Sequence, residues 1–209
     1  MADKTYPLVL KGELIETPSR LLWLVKWLLL IPHFIILVFL WVAFIFATFF
    51  AFWAILFTSR YPKSLFQFNV GVMRWTWRVM FYGYGALATD QYPPFTLKEV
   101  QDYPATLEVD YPERLTPWMV LVKWILAIPH YAVLAVFLGS ETTKNGYADD
   151  AQGGLIWILV FFVAIVLLFA GTYVKDLFKL VMGINRWAYR VWAYVALMTD
   201  EYPPFRLED

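Results

Sequence analysis

Four sequence blocks occur twice along this chain, in the same order. The blocks are Tyr-Pro (6–7 and 103–104), Lys-Trp with Ile-Pro-His (26–33 and 123–130), Arg-Trp-x-x-Arg-Val (74–79 and 186–191) and Thr-Asp-x-Tyr-Pro-Pro-Phe (89–95 and 199–205). A repeated order of four blocks indicates an internal duplication, in which each copy forms one structural unit. The sequence therefore predicts a first repeat at residues 1–99 and a second repeat at residues 100–209.

The chain is more apolar than a soluble domain. Of its 209 residues, 61% are hydrophobic and 16% charged, against roughly 45–50% and about 25% in soluble proteins. Lys26 and His33 are the only ionisable residues in 21–57, and 155–174 holds no charged residue. A helix needs about 20 apolar residues to cross roughly 30 Å of hydrocarbon. Both stretches therefore predict membrane-embedded segments.

Composition also excludes several classes of site and partner. With no cysteine, the chain can form neither disulfides nor thiolate metal sites. Its formal net charge of zero gives no indication of a nucleic-acid partner, which would need a basic face, so none is predicted. The first twenty residues lack the short apolar core of a cleaved signal peptide, and we expect the N-terminus to stay in the cytosol.

The sequence of the second repeat predicts a transmembrane helical hairpin. Its apolar legs, 118–138 and 155–174, flank a polar insertion at 139–154 that belongs in water. By alignment the first repeat turns near 40–43, although no turn residue is present there. The alternative is a short interfacial helix ending at Pro32, followed by one span over about 34–57. Hairpins in both repeats place every Lys and Arg except Lys144 on the side of the termini, which favours four spans with both termini cytoplasmic.

Each repeat also predicts a basic amphipathic helix, at 65–88 and 177–197. Arginines lie on one stripe and aromatic residues on the other, a pattern typical of a helix in the headgroup region. This predicts binding of anionic lipid or a partner, and simple anchoring at the interface is the alternative. The candidate residues are Arg74, Arg78, Arg186, Arg190, Trp75 and Trp187. If the arginines were buried, Asp90 and Asp200 would be their candidate partners.

Short, partly alternating runs bounded by prolines predict extended segments at 6–14, 95–98, 105–110 and 205–207. Because both copies contribute matching runs, we expect a small sheet on the cytoplasmic membrane surface. The predicted fold class is thus all-α integral membrane, with two tandem repeats. Each repeat is a transmembrane hairpin plus an interfacial helix, with short β segments beside it.

His33 and His130 are the only histidines, and they occupy equivalent positions. Across a pseudo-symmetry axis two imidazoles could ligate one haem iron. The simpler interpretation is a hydrogen bond to a carbonyl freed by the adjacent proline. No His/Asp/Glu cluster has metal-ligand spacing, and no phosphate loop or Ser-His-Asp order can be assembled. No catalytic or metal-binding residue is predicted, and Lys26 and Lys123 read as interface anchors.

Taken together, the Ile-Pro-His, Arg-Trp-x-x-Arg-Val and Thr-Asp-x-Tyr-Pro-Pro-Phe blocks resemble an uncharacterised family of bacterial integral-membrane proteins, described as a domain of unknown function. The resemblance covers nearly the whole chain as a tandem pair. It implies a membrane location and a repeated fold, and it brings no activity with it.

These observations favour a non-catalytic accessory or scaffold subunit in the bacterial inner membrane, crossing it several times. Its expected partners are membrane lipids and another integral-membrane protein. A haem-binding redox protein using His33 and His130, or a lipid-handling protein, are the alternatives.

Overall fold

The computed structural model describes residues 6–15, 19, 21–138, 143–144, 147–148, 154–170 and 173–208. This part of the chain is mostly helical, with two pairs of short strands. In chain order the elements are β1 (Leu8–Gly12), α1 (Trp23–Thr58), α2 (Lys63–Tyr82), β2 (Ala105–Val109), α3 (Met119–Leu126), α4 (Ile128–Leu138), β3 (Thr143–Lys144), β4 (Tyr147–Ala148), α5 (Leu155–Ala170) and α6 (Lys175–Val195).

Helix α1 runs without interruption through both positions where the sequence suggested a break. The predicted hairpin of the first repeat is therefore wrong, because residues 40–43 contain nothing that stops a helix. The alternative break at Pro32 is also wrong, since the proline lies inside α1. The helix ends at Ser59, whose left-handed backbone (φ 57°) closes the last turn on Ile55 O. With 36 residues, α1 is about 54 Å long.

The apolar residues of the second repeat form two helical legs, as predicted. Helices α3 and α4 meet at a 44° bend around Ala127, just before Pro129, and form the first leg. Helix α5 forms the second leg and packs against α4 and α6. Most of the 139–154 insertion lies outside the described residues, but β3 pairs with β4 antiparallel within it.

Among the described helices, α1 alone is long and apolar enough to cross a membrane. The bent pair α3 and α4 would supply a second crossing if it acted as one segment.

The helices predicted at 65–88 and 177–197 are present as α2 and α6, although α2 ends six residues earlier than predicted. Helix α2 lies between α1 and the first sheet. One face packs Trp75 and Val79 against Leu30 and Leu37 of α1. On the opposite face Trp77 Nε1 donates to Lys11 O of β1, at 3.0 Å. Helix α6 contacts β1 beside it, so two helices support the sheet.

Strands β1 and β2 join the two repeats in one antiparallel sheet. The predicted extended runs at 6–14 and 105–110 are thus confirmed, whereas 95–98 and 205–207 are irregular. Leu10 pairs with Leu107, its own equivalent in the second repeat. Equivalent residues that face each other define a local two-fold axis, which here passes through the sheet between them.

Gly71 sits where the segment after the Tyr-Pro-Pro-Phe block crosses α2. A Cβ at this position would lie 2.8 Å from Leu97 Cβ. We therefore expect Gly71→Leu to lower the free energy of unfolding by about 1–3 kcal/mol, as overpacking does. Thermal unfolding of the detergent-purified protein measures the change.

The matched control is Gln67→Leu, one helical turn earlier at an exposed position. Its stability should stay within about 0.5 kcal/mol of the parent protein. Equal destabilisation by both variants would contradict the close approach at Gly71.

Candidate functional site

Two equivalent aromatic enclosures surround the histidines, and we call them the histidine boxes. The first contains His33, Trp75, Tyr92 and Phe95; the second contains His130, Trp187, Tyr202 and Phe205. His33 stacks on Phe95 with ring centroids 3.9 Å apart, and His130 on Phe205 at 4.0 Å. Both histidines are fully buried.

Each histidine accepts a hydrogen bond from the tryptophan of its box. Trp75 Nε1 donates to His33 Nδ1 at 3.0 Å, and Trp187 Nε1 to His130 Nδ1 at 3.1 Å. Because indole nitrogen can only donate, Nδ1 carries no proton, and a neutral ring is protonated on Nε2. Among the described residues neither Nε2 atom has a hydrogen-bond partner.

The tyrosine of each box contacts the turn that the neighbouring proline disturbs. Tyr92 O–H donates to Leu29 O at 2.8 Å, and Tyr202 O–H to Leu126 O at 3.1 Å. Both carbonyls lie three residues before a proline, one position past the carbonyl that the proline leaves without its usual N–H partner. Each imidazole bonds to the tryptophan of its box and not to the freed carbonyl expected from the sequence. The tyrosine and phenylalanine of each Tyr-Pro-Pro-Phe block supply half of each box.

Beside each box a buried lysine fixes the start of the same block. Lys26 Nζ donates to Thr89 O at 2.6 Å and lies 3.1 Å from Asp90 Oδ1. In the second repeat Lys123 Nζ makes the corresponding contacts to Thr199 O (2.7 Å) and Asp200 (2.8 Å). We call these two arrangements the lysine pins.

The lysine pins correct two predictions from the sequence. Lys26 and Lys123 are at most 1% exposed, so they are not interface anchors. Asp90 and Asp200 pair with these lysines rather than with the arginines proposed as their partners. Backbone N–H groups of Ser19 and Thr116 donate to the same two carboxylates, which ties the segment entering each repeat to its pin.

The arginines of α2 and α6 point into the protein and bind backbone carbonyls. Arg78 donates to Thr96 O (2.6 Å) and Lys98 O (3.1 Å). Arg190 donates to Arg206 O (3.2 Å) and Glu208 O (2.7 Å). These two groups are the arginine clamps, and each side chain is 1% exposed. Burial, and then the charge of Arg74, lowers the pKa of Arg78 to about 10, which leaves it charged at neutral pH.

The remaining candidate residues for lipid or partner binding also make internal contacts. Arg74 donates to Leu107 O and Leu97 O, and Arg186 to Leu207 O. Trp75 and Trp187 lie in the histidine boxes and are about 5% exposed. Lipid binding by these six residues stays a prediction, but the structure places them mainly against their own chain.

The histidine boxes pack aromatic rings against the two imidazoles. No group of three His, Asp or Glu side chains lies close enough to hold a metal ion within the described part of the chain. Each imidazole is enclosed by its own repeat, and the ring contacts of the described residues do not join His33 to His130. A haem bound by both Nε2 atoms would have to displace the enclosing aromatic rings.

Breaking a lysine pin should destabilise the fold strongly. Asp90→Asn leaves the Lys26 ammonium buried without its counter-charge, and such a loss costs roughly 3–5 kcal/mol. Lys26→Met together with Asp90→Asn should cost less than the sum of the two single changes, as measured by unfolding in a double-mutant cycle.

The control for this cycle is the exposed ion pair between Lys179 and Asp176. Lys179→Met should change the free energy of unfolding by less than about 1 kcal/mol. An Asp90→Asn variant as stable as Lys179→Met would show that the pin carries no stability.

The sequence model of a domain of unknown function, DUF4389, matches residues 20–96 and 151–206. Neither a curated protein nor a solved structure matches the chain. The two matched segments contain both arginine-bearing helices and both Tyr-Pro-Pro-Phe blocks, and the chain belongs to the DUF4389 family.

Proposed function

We propose that this protein is a non-catalytic scaffold or accessory subunit of the bacterial inner membrane. Its apolar side lies in the bilayer and packs against another membrane protein. The observation that supports this most is an exposed ridge of apolar side chains along α1. Its members are between 52% and 78% exposed: Leu28, Phe39, Phe46, Phe50 and Phe57. We call this set the α1 ridge.

The second repeat extends the apolar surface. Its exposed large side chains include Trp118, Trp124, Ile158, Phe161 and Phe169. Soluble monomers rarely expose contiguous apolar patches of more than a few hundred Å², and larger patches mark membrane or protein interfaces. A surface with this aromatic content supports contact with both lipid and a protein partner.

The buried polar groups support a structural role over a catalytic one. The lysine pins and arginine clamps use their cations on backbone carbonyls of the same chain. The histidines are enclosed by aromatic rings and fully buried. Side chains that could have carried chemistry therefore hold the fold together.

The polar side of the protein faces the cytoplasm in this proposal. The outer face of the first sheet exposes Lys11 and Glu108. Arg60, Lys63 and Arg114 are exposed close to the end of α1. Basic residues are enriched on the cytoplasmic side of membranes, where they meet anionic headgroups. These three residues replace the buried arginines as the proposed lipid contacts.

A lipid-handling protein is the second candidate, and one cavity favours it. A space of about 480 Å³ opens between α2, α4 and α6 and is lined by Met80, Leu134 and Trp192 among others. Its volume and largely apolar lining are typical of a small-ligand site. Stoichiometric bound lipid after purification would support this candidate.

The proposed function is tested by mild solubilisation of native membranes, affinity capture, and mass spectrometry with a visible spectrum of the eluate. We expect a stoichiometric integral-membrane partner. Replacing Phe46 and Phe50 with alanine should reduce its recovery about tenfold or more, because aromatic anchors dominate interface energies.

Glu108→Gln on the sheet is the matched control and should leave recovery unchanged. A protein that elutes alone would discard the accessory-subunit proposal. A haem Soret band that disappears in His33→Ala would establish the redox alternative instead.

A further inference from the structure

We infer that α1 lies in the plane of the membrane, with the α1 ridge immersed in the hydrocarbon of one leaflet, and does not cross the bilayer. The protein is then embedded from the cytoplasmic side only. This inference rests on the proposed membrane function and adds to it a specific geometry.

The α1 ridge is longer than the hydrocarbon layer of a bilayer is thick. Its five side chains lie on one side of the helix, opposite a buried stripe that includes Leu30, Leu37 and Ile55. From Leu28 to Phe57 the ridge extends about 44 Å at 1.5 Å per residue, whereas the hydrocarbon is about 30 Å thick. Burying the whole ridge in a crossing helix would need a tilt beyond the usual upper limit of about 40°.

Helix α2 runs alongside α1, with contacts from Lys26 to Thr48 of α1. Lys26 Nζ lies 4.6 Å from the centre of the Tyr82 ring, near one end of the pair. Further along, Asn69 Nδ2 donates to Thr48 Oγ1 at 3.0 Å. The two helices are therefore antiparallel neighbours, and any tilt of α1 relative to the membrane is shared by α2.

The other face of α2 packs against a polar layer. Arg74 Nε donates to Leu107 O of β2, and Trp77 Nε1 donates to Lys11 O of β1. The far side of this sheet exposes Lys11 and Glu108. The order of layers is thus α1, then α2, then the sheet, then charged side chains.

This layer order is incompatible with a crossing α1. If α1 crossed the bilayer, the sheet packed against the middle of α2 would lie at the depth of the hydrocarbon. Open sheet edges and exposed charges are strongly disfavoured there. If α1 lies parallel to the surface, the ridge meets lipid and the sheet meets water.

Both ends of α1 are tied to polar segments of the same chain. Near its start Lys26 binds Thr89 O and Asp90. Just past its end Ser59 O accepts a hydrogen bond from Leu115 N–H at 2.9 Å, beside exposed Arg60 and Arg114. The two-fold axis through the sheet also puts the equivalent helices of the second repeat on the same side. For α1, this geometry replaces the four-span topology predicted from the sequence.

Single-thiol spin labelling tests the inference, because the chain contains no cysteine. Phe39, Phe46, Phe50 and Phe57 are each replaced by cysteine and labelled in the full-length protein. The samples are reconstituted in vesicles of phosphatidylethanolamine and phosphatidylglycerol, and Glu108→Cys serves as the aqueous reference. Immersion depth is read from the relative accessibility of each label to oxygen and to a polar nickel complex.

An in-plane α1 predicts similar depths at all four ridge positions, within roughly 5 Å of one another and about 5–10 Å below the headgroups. A crossing α1 predicts a depth that rises to the bilayer centre and falls again towards one end, and this profile would overturn the inference while leaving the membrane proposal intact. Labels as exposed to water as the one at Glu108 would overturn both. Circular dichroism checks that each variant is folded. We expect all of them to fold, because the ridge side chains are outside the core.

Discussion

The fold depends on buried cations that bind backbone carbonyl oxygens. Lys26, Lys123, Arg78 and Arg190 are almost completely removed from solvent, and a desolvated charge is tolerated only with close polar partners. All four find them in the irregular segments around the Tyr-Pro-Pro-Phe blocks, whose carbonyls no helix or sheet satisfies. The cations thus hold these segments against the helices. The same segments contain the tyrosine and phenylalanine of each histidine box.

Local patterns allowed much of the architecture to be predicted. The repeated blocks indicated the duplication. The spacing of the arginines predicted α2 and α6, and alternating or continuous apolar residues predicted both strands of the first sheet and the apolar legs of the second repeat. The error in α1 arose from transferring a turn between repeats. The second repeat carries a polar insertion between its apolar legs, and the first repeat has nothing equivalent at 40–43.

The long-range pairings were harder to predict, for a physical reason. An amphipathic stripe shows that one face of a helix is polar, but it does not show whether water, headgroups or the same chain covers that face. Gly71 and Gly183 on the arginine stripes were an available signal, because a Cβ at either one would meet the crossing segment at 2.8 or 2.7 Å. The lysine pins join residues more than sixty positions apart, and no local pattern connects them.

The pairing of Leu10 with its own equivalent, Leu107, has a consequence for chains built from a single repeat. A lone repeat would carry one of these strands with its edge unpaired, and an unpaired edge readily recruits another strand. The nearest complementary edge belongs to an identical molecule, and the observed register satisfies the symmetry of such a homodimer. The tandem chain therefore has the organisation of a fused symmetric dimer, in which covalent linkage replaces subunit association and lets the two copies diverge in their membrane helices.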